Sequence, residues 1–196
     1  MSTNSEIVET LRAGGVGVLS TDTLYGLVGS ALLPEAVERI YELKRRDREK
    51  PLIVLIADIE DVERFGVVLS EELILQLEKY WPHSSSAGAE ALRGKPGPYS
   101  VILPSVDDEF SYLHRGGGTI AFRLPDKDDL CELLRDVGPL VAPSANIEGK
   151  HPARTVEEAR RYFGDDVDFY VDGGELSGKS SAILEFNGDE IRVVRE

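Results

Sequence analysis

Cysteine and histidine are scarce in this chain. Among 196 residues there are one cysteine and three histidines. Cys131 therefore has no partner for an intrachain disulfide, and no C-x2-C or H-x3-H spacing is available to hold zinc. Positive charge is also short: 22 Lys and Arg stand against 36 Asp and Glu, a formal net charge of −14. Such a balance repels phosphate backbone and anionic lipid unless a local patch reverses the field, so generalised binding to nucleic acid or membrane surface is disfavoured. No window approaches the ~18 consecutive apolar residues of a membrane span. The first twelve residues carry Glu6 and Glu9 and no apolar run, the wrong texture for a secretory signal. A reducing, cytoplasmic setting fits these absences, and the length suits one domain spanning 1–196.

What is present alternates in helical and strand texture without a strict βα order. Ile7 and Leu11 at helical spacing run into Gly14-Gly15, which predicts a first helix ending there. A strand at 16–20 follows. Pro34 in a first-turn position opens a helix to Arg46. The apolar run Pro51–Ala57 is too short for a helix and reads as a buried strand. Ser70 caps a helix to Trp81, and Pro82 ends it. Residues 83–96 carry turn and linker residues and read as a surface-loop insertion. Further strands are expected at 99–103, 119–124, 139–142 and 167–172, with helices at 127–136 and 155–163. Two β runs, 181–186 and 190–195, flank an Asn187-Gly188 hairpin signal. The pattern predicts one α/β domain on a mixed, twisted sheet.

Gly173–Ser180 matches the phosphate-loop pattern G-x-x-x-x-G-K-[ST] letter for letter. That motif works only when a helix follows and offers its N-terminal N–H groups to phosphate. Here a β-hairpin is expected instead, so the match is read as a decoy.

Four other segments place polar and cationic groups where a bland fold has no need of them. Ser20–Leu27 is a hydroxyl-rich run at a strand end. Its alternative reading is a capped turn. Lys44–Lys50 carries five cations at the end of a helix, an anion site or a solvated charge run. Arg123 sits inside an apolar strand and must find an anion, either a ligand or an internal carboxylate. Ser144 and Asn146 follow another strand, placed to touch a ligand or to cap the turn.

Together, in this order, the four resemble the YrdC/Sua5 family, the threonylcarbamoyl-AMP synthases, over nearly the whole chain. Thr21-Asp22-Thr23-Leu24-Tyr25-Gly26-Leu27 corresponds to the family's T-[DE]-T-x-Y-G-L. Lys44 to Leu52 corresponds to K-x-R-x-x-x-K-P-L, Arg123-Leu124-Pro125 to Arg-x-Pro, and Ser144-Ala145-Asn146 to Ser-x-Asn. The resemblance implies a YrdC-like twisted mixed sheet flanked by helices, with a large basic concave cleft. It implies synthesis of threonylcarbamoyl-AMP and pyrophosphate from L-threonine, bicarbonate and ATP with Mg²⁺, for t6A modification of tRNA. A downstream t6A transferase complex would accept the product.

By position, the resemblance makes Thr23, Arg123, Ser144 and Ser181 threonine contacts. It makes Arg46, Lys50, Thr119, Asn146, Arg154 and Arg195 nucleotide contacts, with Arg46 and Lys50 stabilising charge. No protein metal ligand and no catalytic nucleophile are expected. Leu55 stands where the family often has His, and Ala182 where it has a second hydroxyl. Two rivals are a non-catalytic nucleotide- or RNA-binding module and a carbamoyl-transfer domain of the hydrogenase-maturation type. The latter normally stands beside acylphosphatase and zinc-finger regions, which have no counterpart here.

Overall fold

A computed structural model describes residues 4–81, 98–105, 107–187 and 190–195. The expected loop at 83–96 and the Gly188 position of the hairpin turn lie outside the described residues. Helix α1 (Asn4–Arg12) leads to β1 (Gly17–Ser20) and β2 (Tyr25–Ser30). Then come α2 (Pro34–Lys44), β3 (Ile53–Leu55), α3 (Glu71–Leu77), β4 (Tyr99–Pro104), α4 (Ser111–His114) and β5 (Thr119–Arg123). The chain closes with α5 (Asp128–Val137), β6 (Leu140–Val141), α6 (Val156–Phe163), β7 (Phe169–Tyr170) and the hairpin β8 (Ala182–Asn187) and β9 (Glu190–Arg195).

The nine strands form one sheet in the order β7-β1-β2-β6-β3-β5-β4-β8-β9. Three pairings are parallel, β1 with β7, β3 with β5 and β4 with β8, while the others run antiparallel. The mixed α/β sheet read from the sequence is thus the one observed.

Because successive strand residues point to opposite faces, β1, β2 and β3 each feed two cores. Val18, Leu27 and Val54 join one cluster with Val37 and Ile40 of α2 and Ala159 and Phe163 of α6. Their neighbours Leu19, Val28 and Leu55 join another with Ile7 and Leu11 of α1 and Leu130 and Leu134 of α5. Helices therefore cover both faces. Trp81 closes the first cluster at 1% exposure and donates its indole N–H to the Tyr99 carbonyl at 3.0 Å.

One strand was not expected. Tyr25–Ser30 is buried along its whole length between β1 and β6. Its two glycines give it the texture of a loop, yet both serve close approach. A side chain at Gly29 would press on Val16 and Ile40 at 3.2 Å. Elsewhere the boundaries contract. The run 51–57 forms a strand only over Ile53–Leu55, which frees Pro51 and Leu52 for another surface.

The P-loop look-alike is followed by a further coil and then β8, with no helix. This segment, residues 171–181, travels from one edge of the sheet to the far side, because β7 is an edge strand and β8 lies next to the opposite edge. Residues of β2 and of β8 and β9 nonetheless line one cleft, although four strands separate β2 from β8. A flat sheet would hold them about 24 Å apart at ~4.8 Å per strand, so the sheet curls around the space between them.

Candidate active site

Inside that curl lies a cleft of about 700 Å³, counting its open mouth. Three arginines, Arg46, Arg123 and Arg195, line it, and among the described residues no acidic one does. In a chain of net charge −14 these three positive groups meet at one place.

The floor is built around Arg123, the last residue of β5, at 5% exposure. Its Nη1 donates to Thr23 Oγ1 at 3.0 Å, and Nη2 pairs with the Asp22 carboxylate. The second Asp22 oxygen accepts from the Asp126 backbone N–H at 3.3 Å. The internal carboxylate left open by the sequence is therefore real, and it is Asp22. Burial pushes the Arg123 pKa down, with Asp22 pulling it back up. The pair does not exhaust the guanidinium, because Nε is buried without a hydrogen-bond partner. Arg123 also lines the cleft, where a planar guanidinium is suited to a carboxylate.

Thr23 is held in turn by Thr21, Oγ1 to Oγ1 at 2.9 Å. Thr21 also caps its own turn, accepting from the N–H groups of Thr23 and Leu24 and donating to the Leu24 carbonyl. The capped-turn reading of the hydroxyl run is therefore observed at Thr21, and Thr23 faces the cleft.

On the opposite wall Ser181, at 2% exposure, shares a hydrogen bond with Ser100 Oγ at 2.8 Å. Arg195 Nη2 donates to the Ser181 carbonyl at 2.8 Å. Arg46 hangs from the carbonyls of Lys50 (3.3 Å) and Pro51 (3.2 Å). Burial and the charge of Arg46 both lower the pKa of Arg195, so the two guanidiniums feel one another. Neither has a carboxylate partner among the described residues. Two neighbouring cations compensated only by carbonyls make a site for a multivalent anion.

Of the residues singled out from the sequence, Thr23, Arg46, Arg123, Ser144, Ser181 and Arg195 are brought together on this lining. The other four lie elsewhere. Lys50 is at the rim, ion-paired to Glu148 at 2.5 Å, and its hydrogen bond leads the causes that hold the Glu148 carboxyl below its ordinary range. Thr119 sits at the other end of β5 beside Pro104, about 13 Å along the strand from Arg123. Asn146 is buried with its amide turned inward, donating to the carbonyls of Ile147 (3.0 Å) and Lys150 (2.8 Å). Arg154 lies outside the lining, ion-paired to Glu175 at 2.9 Å. Leu55 packs beside Arg123 in register and belongs to the apolar cluster.

Lys44 has a different place from the rest of its cationic run. At 2% exposure its ammonium donates to the carbonyls of Ser144 (2.5 Å) and Asn146 (2.8 Å) and to Asn146 Oδ1 (3.2 Å). Ser144 Oγ donates to that same Oδ1 at 2.6 Å. Lys44 is thus the pin that fixes the Ser144–Asn146 loop against the cleft. Burial, reinforced by the charge of Arg46, lowers its pKa from 10.5 to about 7. Between those values the unfolded chain binds more protons than the folded one, so stability rises with pH across that interval. Urea unfolding of the wild type is expected to show this rise and Lys44→Met to lack it. Parallel pH profiles for the two proteins would refute the assignment.

Comparison with known proteins identifies the family. The family model described as "Telomere recombination", Sua5/YciO/YrdC, matches residues 9–196. The chain belongs to the Sua5/YciO/YrdC family. It is 37% identical over 189 residues to the threonylcarbamoyl-AMP synthase of Marinobacter nauticus, covering 94% of this chain and 92% of that one. With the threonylcarbamoyl-AMP synthase of Bacillus subtilis it shares 32% identity over 99% of its own length and 54% of the relative's. In structure it matches Pyrococcus abyssi Sua5 complexed with L-threonine, with a TM-score of 0.83 and 28% identity, covering all of this chain and 55% of that one. Escherichia coli YciO shares the fold, at a TM-score of 0.78 and 23% identity over 98% and 88% of the two chains.

Proposed function

We propose that this chain makes threonylcarbamoyl-AMP and pyrophosphate from L-threonine, bicarbonate and ATP. The observation that carries the reading is the partly used, buried guanidinium of Arg123 beside Thr23, in a cleft lined by three arginines and, among the described residues, no carboxylate. The family's curated relatives, named as synthases of this compound, and the likeness to a Sua5 complexed with L-threonine support it.

In this reading the amine of threonine adds to bicarbonate with loss of water, giving N-carboxythreonine. Its new carboxylate attacks the α-phosphorus of ATP. The α–β phosphoanhydride bond breaks and pyrophosphate leaves, a nucleotidyl transfer. Such a step needs positioning and charge stabilisation more than covalent help. Arg123, with Thr23, Ser144 and Ser181, grips the amino acid. Arg46 and Arg195 take up phosphate charge, joined from the rim by Lys50. Asn146 acts through Ser144 and Arg154 through the 171–181 segment, while Thr119 lies at the far end of β5 from Arg123. Magnesium arrives as the ion of the triphosphate substrate.

The product is a mixed anhydride whose class of consumer is an amine-acylating transferase, here the t6A-forming complex acting on tRNA. The chain works as a single unit in the cytoplasm. Among the described residues no helix is long and apolar enough to cross a membrane. Purified protein is expected to release pyrophosphate from ATP only when both threonine and bicarbonate are supplied. Release indifferent to threonine, or nucleotide binding with no release at all, would overturn the reading in favour of a binding module.

A further inference from the structure

The T-x-Y-G-L motif contains one side chain that the chemistry above leaves unused. Tyr25 opens β2 with its ring fully buried and lining the cleft, while its hydroxyl reaches the 171–181 segment. That oxygen accepts from the Gly173 N–H at 2.9 Å and donates to the Gly174 carbonyl at 2.7 Å, with Asp172 Oδ1 at 3.3 Å. Asp172 closes the turn by accepting from the Gly174 N–H at 2.9 Å.

From Asp172 to Ser181 the segment belongs to no strand, so it relies on a few fasteners. Beyond Tyr25 there is Arg154, whose carbonyl accepts from Leu176 N–H at 2.8 Å and whose Nε donates to the Leu176 carbonyl at 3.3 Å. Gly178 then lies so close on the Thr23 backbone that a methyl group has no room there. The segment ends by delivering Ser180 and Ser181 to the cleft wall.

The backbone of Tyr25 holds the other walls. Its carbonyl accepts from Ala145 N–H at 2.7 Å, and its neighbour Gly26 bridges Ser144. One residue therefore joins the hydroxyl turn of Thr21–Thr23, the Ser144–Asn146 loop and the crossing segment. We infer that Tyr25 is a positioning residue for the substrate site, its hydroxyl fixing the 172–181 segment so that Ser180 and Ser181 face the amino acid held by Arg123. Burial raises the pKa of the phenol, so it stays a neutral donor and acceptor at physiological pH. The inference rests on the proposed role of Ser181 as a threonine contact.

Tyr25→Phe removes the hydroxyl and keeps the ring and both backbone contacts, so the core is expected to fold. The KM for threonine is expected to rise about tenfold with kcat changed by less than about threefold, the pattern of lost ground-state positioning. Amide hydrogen exchange of residues 173–181 is expected to quicken in the same variant, while exchange in β1–β3 stays as in the wild type. Arg154→Ala, which removes the Nε contact to the Leu176 carbonyl and the ion pair to Glu175 but keeps the backbone bond to Leu176, is expected to give a smaller effect in the same direction on both readouts. Unchanged exchange over 173–181 in Tyr25→Phe would overturn the inference. So would faster exchange with an unaltered KM for threonine. Should the wild type itself release no pyrophosphate, the reaction assignment fails on its own, and the exchange experiment still decides whether Tyr25 fastens the segment.

Discussion

Arg123→Ala is expected to lose threonine-dependent pyrophosphate release by about a thousandfold and to be markedly less stable. Truncating one member of a buried charged contact costs ~2–5 kcal/mol in binding, much of it from the partner left unpaired. The same logic applies within the fold. Asp22 and Arg123 have side chains only 6% and 7% exposed, and removing the cation strands a carboxylate in the interior. Breaking such a pair costs ~3–5 kcal/mol, whereas replacing both members by apolar groups is often neutral. The double variant Asp22→Leu/Arg123→Met should thus regain most of the stability and none of the threonine binding. Calorimetric titration of threonine together with urea unfolding separates the two roles. Wild-type threonine affinity in Arg123→Ala would remove this residue from the site.

Gly178→Ala is expected to weaken threonine binding by about a hundredfold, more than Tyr25→Phe, because displacement of a reacting group by even ~1 Å can cost that much. An alanine methyl would land on the carbonyl oxygen of Thr23 and come within 3.0 Å of its carbonyl carbon. Those are backbone atoms of a turn tied down by Thr21, so the crossing segment must lift instead. Ser181 follows three residues later and lifts with it. The segment's exposed position limits the global cost, and the melting temperature should fall by only a few degrees. A variant that binds threonine normally would show that the tight approach has no consequence for the wall.

The features legible in the sequence were those set by local chemistry. Pro34 in the first turn of α2, Ser70 accepting from Leu73 N–H at 3.1 Å and the branched run feeding β3 all act within a few residues. The strand β2 escaped because Tyr25-Gly-Leu-Val-Gly-Ser30 owes its place to being buried between neighbours, and its glycines make room for them. The cationic run shows the same limit at the site. Five charges read alike as a string, yet Lys44 turns inward to carbonyls, Arg48 pairs with Glu38, Lys50 pairs with Glu148, and only Arg46 reaches the cleft lining. Spacing shows that cations are present, but their partners come from residues as far away as 148. The Asp22–Arg123 pair and the clip from Tyr25 to Gly173 span about a hundred residues or more and leave no mark in local pattern. Asp22 and Tyr25 stood inside the recognised motif all along, where motif letters name residues without separating substrate contacts from supports.

The acidic balance of the chain now has a spatial meaning. Among the described residues the cleft lining has no carboxylate, and the described acidic residues lie outside it. A field of that shape favours small anions at one place while leaving polyanions largely repelled.

The central claim is that the carbon of bicarbonate is built into an adenylate together with threonine. Incubation of the protein with ¹³C-bicarbonate, threonine and MgATP, followed by mass spectrometry, tests it most directly. The account predicts an adenylate bearing both threonine and one labelled carbon, formed in equal amount with pyrophosphate. An unlabelled threonyl adenylate, or pyrophosphate without any threonine-containing adenylate, would contradict it.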